Sequence, residues 1–118
     1  MNSDDPHAQE NDAVNLPPDI WRGIEYLKNQ LKTLTTDPGV YRMTNGKGEV
    51  LYVGKARNLI RRVTNYTQPN RLSNRIMRMV SETEKLEVIV TKSEIEALLL
   101  ESNLIKKMKP RYNILLRD

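Results

Sequence analysis

Two tyrosines and a lysine are the first residues whose spacing suggests chemistry. Tyr41 lies in one run rich in Val, Tyr and Met, and Tyr52 lies in a second apolar run. Between them, residues 45–48 read Asn-Gly-Lys-Gly, a composition typical of a tight turn. A hairpin with this loop would place Tyr41 directly opposite Tyr52 on one sheet face, with Lys55 just past the strand end. The pair could equally be an aromatic contact that only stabilises the hairpin.

One carboxylate, Glu101, lies at a position where an apolar side chain is expected. The last helical pattern is predicted to bury a stripe formed by Ile95, Ala97, Leu98, Leu104, Ile105 and Met108. Glu101 falls inside this stripe, where an unpaired carboxylate would be costly. Three explanations stay open: partial exposure at the edge of the stripe, a salt bridge to an arginine, or a ligand for a hard metal ion such as Mg²⁺.

The basic residues are concentrated in the middle of the chain. Residues 1–38 carry three Lys/Arg against seven Asp/Glu, whereas residues 39–118 carry sixteen against eight. No acid occurs between Glu49 and Glu82, a segment that holds Lys55, Arg57, Arg61, Arg62, Arg71, Arg75 and Arg78. Such a one-signed segment predicts a polyanionic partner, although it could also be a solvated helix face. The excess of Arg over Lys favours phosphate contacts.

Composition excludes several other classes of site. The chain has no cysteine, which excludes disulfides and thiolate metal sites. Its one histidine, His7, lies in a polar stretch, which argues against histidine catalysis and zinc chemistry. No apolar run approaches the ~20 residues of a membrane span, and no signal-peptide pattern is present. These features predict a cytoplasmic protein without a membrane partner.

The periodicity predicts an α/β (α+β) domain in which a small three-stranded antiparallel sheet is flanked by helices. The predicted strands are residues 39–44, 49–54 and 86–91. Asn58 is a candidate N-cap for a short helix that carries Arg62, and a second short helix follows a break at residues 68–70. Ser93 and Glu96 form a predicted capping box for the helix that carries Glu101.

Domain organisation follows from the same patterns. Residues 1–16 are predicted to be a disordered acidic tail, and residues 17–36 an amphipathic N-terminal helix. Residues 37–118 are predicted to form the functional domain. The abrupt end at Asp118 suggests a fragment of a longer protein.

The residues resemble the GIY-YIG nuclease family. The two halves of the family motif correspond to Gly39-Val40-Tyr41 and Tyr52-Val53-Gly54, each with Val in place of Ile. The resemblance continues through Lys55, Arg62, Tyr66, Glu101 and Asn113, and so covers about residues 38–118. Within the family the sequence is most similar to the UvrC branch, the incision subunits of bacterial nucleotide excision repair. The resemblance implies a GIY-YIG fold for residues 37–118.

The resemblance also implies a mechanism, that of a divalent-metal-dependent phosphodiesterase. Glu101 would hold one Mg²⁺ or Mn²⁺, and Tyr52 would be the general base, with Lys55, Arg62 or the metal favouring its phenolate. Arg62 would also stabilise charge on the phosphate. The remaining members of the implied catalytic set would orient water and neighbouring side chains; they are Tyr41, Tyr66 and Asn113.

For the UvrC branch, the implied reaction is the incision on the 3′ side of a lesion in damaged double-stranded DNA. UvrB would be engaged through parts of a full-length protein that are not present here, and UvrA indirectly. The residues predicted to contact DNA are Lys55, Arg57, Arg61, Arg71, Arg75 and Arg78. Two alternatives are a catalytically inactive GIY-YIG module that binds nucleic acid and a structural fragment that docks on UvrB.

Overall fold

A computed structural model describes residues 16–115 of the chain. The predicted acidic tail, residues 1–16, therefore lies outside the described part except for Leu16. The helices are α1 (Ile20–Gln30), α2 (Leu59–Asn65), α3 (Asn74–Glu82), α4 (Glu94–Met108) and α5 (Arg111–Leu115). The strands are β1 (Gly39–Thr44), β2 (Val50–Ala56) and β3 (Lys85–Val90), and short 3₁₀ turns occupy Leu31–Thr33 and Pro69–Arg71. No helix among these residues is long and apolar enough to cross a membrane.

The three strands form one antiparallel sheet in the order β2-β1-β3. The predicted α+β class is therefore confirmed, and β1 has the predicted bounds. β2 begins one residue later than expected and extends to Ala56, and β3 lies one residue earlier. The central position of β1 matters for the site, because Tyr41 on this strand has neighbours on both sides.

The predicted pairing of Tyr41 with Tyr52 is wrong by two residues. Tyr41 pairs with Gly54, and Tyr52 pairs with Met43. The hairpin loop is longer than predicted, because the Asn45 carboxamide oxygen accepts hydrogen bonds from the backbone N–H groups of Lys47 (3.0 Å) and Glu49 (2.9 Å). A bulge in β2 adds a further shift, because Leu51 is left unpaired between the partners of Met43 and Thr44. A shift of two residues keeps both tyrosines on the same face of the sheet.

Helices cover both faces of the sheet. On one face, α1, α2 and α3 enclose the larger core with Tyr41 and Met43 of β1. On the other face, Val40 and Val53 pack against Ala97 of α4. The strands β1 and β2 are therefore held between two hydrophobic layers.

The N-terminal helix α1 is part of the main core. Ile20, Ile24 and Leu27 are fully buried, at 2%, 1% and 0% exposure. Gly23 lies so close to α3 that a Cβ atom there would overlap the carbonyl oxygen of Val80. The helix thus docks on the domain, a point that the sequence alone left open.

The predicted helix caps are present. The Asn58 carboxamide oxygen accepts a hydrogen bond from Arg61 N at 3.0 Å, which fixes the start of α2. Ser93 Oγ accepts one from Glu96 N at 3.1 Å at the start of α4. The Glu96 carboxylate in turn accepts a hydrogen bond from Lys92 N at 3.2 Å.

The predicted burial of α4 is partly wrong. Ile95 and Leu98 are 71% and 46% exposed, whereas Ala97 is 1% exposed. The buried line of the helix has Ala97 at its start and continues through partly buried side chains one and more turns later, namely Leu100, Leu104, Ile105 and Met108. Ile95 and Leu98 lie on one flank of this line and stay exposed, since neither is among the side chains packed against Val40 and Val53.

Candidate active site

Three tyrosines meet beside the sheet. The hydroxyl groups of Tyr41 and Tyr66 are hydrogen-bonded at 2.6 Å, and their ring centroids are 5.9 Å apart. The ring of Tyr52 lies 6.1 Å from that of Tyr41. Tyr41 comes from β1, Tyr52 from β2 and Tyr66 from the end of α2. The structure therefore brings together all three tyrosines that the sequence singled out.

Gly54 makes this cluster possible. It pairs with Tyr41 across the hairpin, and a Cβ atom at this position would overlap the Tyr41 hydroxyl and crowd the Tyr52 ring. A larger residue would therefore displace one of the two phenols. The glycine of the second half-motif is required by this close approach and not by its backbone angles.

Arg62 on α2 places a positive charge beside the three rings. Burial, followed by the neighbouring Tyr52, raises the pKa of Tyr66 to about 12, and Arg62 opposes this rise. Burial is also the main reason why the pKa of Tyr41 lies well above its ordinary value. Both phenols are therefore held neutral, and the Tyr41–Tyr66 pair is suited to positioning other groups.

Tyr52 is influenced by charges of both signs. Burial raises its pKa most, and the carboxylate of Glu101 raises it further. Arg62 and hydrogen bonding with the other two tyrosines lower it, but the net shift is upward. The structure thus places Glu101 of α4 and Arg62 of α2 each within electrostatic reach of Tyr52.

Glu101 is half-buried, as expected for the edge of the apolar stripe. Within residues 16–115, no three carboxylate, histidine or cysteine side chains cluster so as to hold a metal ion. A cation at Glu101 would therefore rest on one carboxylate, with water and phosphate oxygens completing its shell. This donor set suits Mg²⁺, which retains waters and is bound through one or two carboxylates together with substrate phosphates.

Asn113 of α5 binds the backbone next to Tyr52. Its carboxamide oxygen accepts a hydrogen bond from Val53 N at 2.8 Å, and its amide nitrogen donates one to Val53 O at 2.9 Å. The side chain is thus engaged through both its oxygen and its nitrogen with a single residue of β2. Asn113 holds the strand that carries Tyr52, whereas the resemblance had implied a role in orienting water and side chains.

Comparison with known proteins agrees with this geometry. The model of the UvrC-like GIY-YIG domain matches residues 37–114. This chain belongs to that family. The match includes every member of the tyrosine cluster as well as Arg62, Glu101 and Asn113.

The relatives are bacterial proteins named UvrABC system protein C. The one from Rhodospirillum rubrum is 67% identical over 97 residues, which are 82% of this chain and 15% of the relative. The one from Gluconobacter oxydans is 50% identical over 117 residues, which are 96% of this chain and 18% of the relative. The chain therefore spans less than a fifth of the length of these relatives.

A solved structure resembles the GIY-YIG fold described here. It is the N-terminal endonuclease domain of UvrC from Thermotoga maritima, bound to its catalytic divalent cation, magnesium. It is 38% identical, covers 73% of this chain and 93% of its own, and has a TM-score of 0.67. Variants of that domain with tyrosine replaced by phenylalanine, or asparagine by alanine, are also bound to the cation.

A basic cleft of about 430 Å³ opens beside the catalytic candidates of this GIY-YIG domain. It lies between the end of β2, α2 and the start of α4, and four of its lining residues are Lys55, Arg57, Arg61 and Arg62. Arg57 forms an exposed ion pair of 2.8 Å with Glu94. Among the described residues, the three other predicted DNA contacts do not line the cleft; they are Arg71, Arg75 and Arg78.

Sequence reasoning missed the anchor of α5. Arg111 Nη2 donates a hydrogen bond to Glu82 Oε1 at 2.5 Å, and the Tyr112 hydroxyl donates one to Glu82 Oε2 at 2.6 Å. Burial, followed by Glu82, raises the pKa of Tyr112 to about 12. The only signal in the sequence is that Glu82 ends the acid-free segment, and this signal does not indicate a partner.

Proposed function

We propose that this chain is a divalent-metal-dependent endonuclease domain that hydrolyses phosphodiester bonds in DNA. The observation that carries the proposal is that Arg62 and Glu101 both act electrostatically on Tyr52, and that Arg62 also lines the basic cleft. Family membership supports the same reaction. By analogy with its relatives, the domain would make the 3′-side incision of nucleotide excision repair.

Glu101 is the residue that would hold the cation, Mg²⁺ or Mn²⁺. When bound, the cation supplies positive charge against the phosphate and lowers the pKa of nearby groups. The tyrosine and asparagine variants of the Thermotoga domain are bound to their cation. This observation supports a carboxylate as the ligand, because neither a phenol hydroxyl nor that carboxamide is needed for cation binding there.

Tyr52 is the proposed general base. It must lose its proton to accept one from the attacking water, and both its burial and Glu101 oppose this loss. Neutralising the charge of Glu101 removes one of the two obstacles, and the nearby Arg62 already acts in the favourable direction. The phenol of Tyr52 would therefore stay protonated until the charge of Glu101 is neutralised.

Arg62 and Lys55 are the proposed contacts of the scissile phosphate. Both line the cleft next to the tyrosine cluster, and a guanidinium group can stabilise the charge that develops on phosphate oxygens. Tyr41 and Tyr66 support Tyr52 and Arg62 through packing and hydrogen bonding. Asn113 positions the strand that carries Tyr52.

The proposed partners follow from the relatives, which are components named for the UvrABC system. We infer damaged double-stranded DNA as substrate, with UvrB bound by parts of the longer protein and UvrA acting indirectly. The cytoplasm is the corresponding compartment. Arg71, Arg75 and Arg78 stay predicted DNA contacts outside the cleft.

The test is metal-dependent nicking of plasmid DNA by Glu101→Gln and Tyr52→Phe. Both variants should keep the wild-type circular dichroism spectrum and lose at least a hundredfold in cutting rate. Glu25→Gln, an exposed change on α1, is the matched control and should cut normally. Normal cutting by either folded variant would contradict the assignment. Tight DNA binding without cutting by the wild type would instead support an inactive binding module.

A further inference from the structure

The basic cleft has an apolar wall that phosphate binding does not explain. Ile95 and Leu98 of α4 line the cleft together with the basic residues of α2 and with Glu94, and they are 71% and 46% exposed. The exposed parts of these two aliphatic side chains contribute no burial to the fold and cannot hydrogen-bond a phosphate. They gain free energy only when an apolar surface covers them.

We propose that Ile95 and Leu98 contact the base and sugar of one unpaired nucleotide, while its flanking phosphates bind the basic wall. The inference rests on the proposed function, because it takes DNA as the ligand. It adds that the DNA strand enters the cleft in a locally unpaired form.

The dimensions of the cleft favour a single nucleotide over a duplex. A cleft of about 430 Å³ is in the range of sites that enclose one small molecule. A paired strand keeps its base faces stacked, so they are not available to a side chain at the wall. An unpaired nucleotide presents an apolar base face on one side and charged phosphates on the other. This division matches the two walls of the cleft.

The neighbouring residue provides a matched control. Leu99 is 61% exposed on the same helix turn but does not line the cleft. Alanine substitutions at positions 95, 98 and 99 keep or improve helix propensity, so each variant should fold. Loss of binding in the cleft variants can therefore be separated from a general effect of removing exposed apolar surface.

The experiment measures binding of fluorescent oligonucleotides without divalent metal, so that no cutting occurs. The probes are a twelve-residue oligothymidine, an abasic deoxyribose phosphate oligomer of equal length, and a duplex of twelve base pairs. The double variant Ile95→Ala/Leu98→Ala should bind oligothymidine about tenfold more weakly than wild type. Leu99→Ala should bind it normally, and the double variant should lose less than twofold on the other two probes.

The salt dependence of oligonucleotide binding distinguishes the contribution of the basic wall from that of the apolar wall. The double variant should keep the wild-type slope of affinity against salt concentration, because it removes no phosphate contact. Arg61→Ala should lower that slope for all three probes. A reduced slope in the double variant would overturn the assignment of its two side chains to base and sugar.

Three further outcomes would overturn the inference: wild-type affinity of the double variant for oligothymidine, an equal loss in Leu99→Ala, or an equal loss on all three probes. The nuclease proposal is tested separately. Oligothymidine binding that depends on the apolar wall, in a protein that never cuts with metal, would refute the nuclease and leave this inference standing. Cutting that requires Glu101, together with wild-type oligothymidine binding by the double variant, would support the nuclease and overturn this inference.

Discussion

At the scale of single residues, Tyr52 lies between two opposite charges. Glu101 raises the pKa of its phenol and Arg62 lowers it, in addition to the upward effect of burial. The proton affinity of this phenol thus depends on whether the carboxylate is neutralised. The proposed general base would therefore become active only when the charge of Glu101 is neutralised.

Removing the carboxylate charge should therefore lower the pKa of Tyr52. In Glu101→Gln, the phenol loses a neighbour that stabilises its protonated form, so deprotonation should begin at lower pH than in wild type. Selective ¹³Cζ-tyrosine labelling and NMR titration would measure the shift. Glu25→Gln is again the control, and an unchanged or higher pKa in Glu101→Gln would contradict the charge coupling.

At the scale of secondary-structure elements, α5 connects two distant parts of the domain. Its first two residues are hydrogen-bonded to Glu82 of α3, and its third, Asn113, is hydrogen-bonded to Val53 of β2. The carboxylate of Glu82 therefore helps to hold α5, and with it Asn113, alongside the buried ring of Tyr112 and a 3.8 Å ion pair between Arg111 and Glu49. Through β2, this anchor reaches the strand that carries Tyr52.

Glu82→Ala should loosen this connection without touching the cleft. The Val53 amide should exchange its hydrogen at least tenfold faster, since its acceptor on α5 is no longer held, and kcat should fall while KM for DNA stays near wild type. Glu82→Gln should restore much of the protection because it keeps an acceptor for Tyr112.

Glu84→Ala provides the control, because Glu84 is exposed and lies two residues beyond Glu82. Hydrogen-exchange mass spectrometry measures the exchange of the Val53 amide, and plasmid nicking measures kcat and KM. Unchanged exchange at Val53 in Glu82→Ala would show that α5 keeps its place without the anchor.

The elements also show where sequence reasoning succeeds. The caps at Asn58 and Ser93 were predictable, because each depends on residues three positions apart. The hairpin register was not, because one Asn45 side chain and a bulge lengthen the turn by an amount that composition does not fix. The exposure of Ile95 depends on which side of α4 packs against Val40 and Val53, and the Glu82–Tyr112 bond joins residues 30 positions apart.

At the scale of the whole molecule, the folded unit is larger than the region that matches the family. The match begins at residue 37, yet α1 contributes Ile20, Ile24 and Leu27 to the main core. These side chains are covered by the same core that holds Tyr41 and Tyr66. The helix α1, which precedes the family motif in the sequence, thus belongs to the core that holds Tyr41 and Tyr66.

A chain that begins at residue 36 should accordingly be much less stable than one that begins at residue 16. Removing three fully buried aliphatic side chains should lower the free energy of unfolding by about 5 kcal/mol. Urea denaturation followed by circular dichroism would measure this difference. Equal stability of the two chains would show that α1 contributes no net free energy to the fold.

The pairing of Asn113 with Val53 has a consequence for association between molecules. The Asn113 carboxamide uses one donor and one acceptor here, the same pair of groups that a residue of an adjoining strand would present. Asn113 therefore imitates a single residue of a fourth strand and blocks the outer edge of β2 against addition of another chain. Replacing it with alanine would leave the N–H and C=O groups of Val53 free to pair with a strand of another molecule.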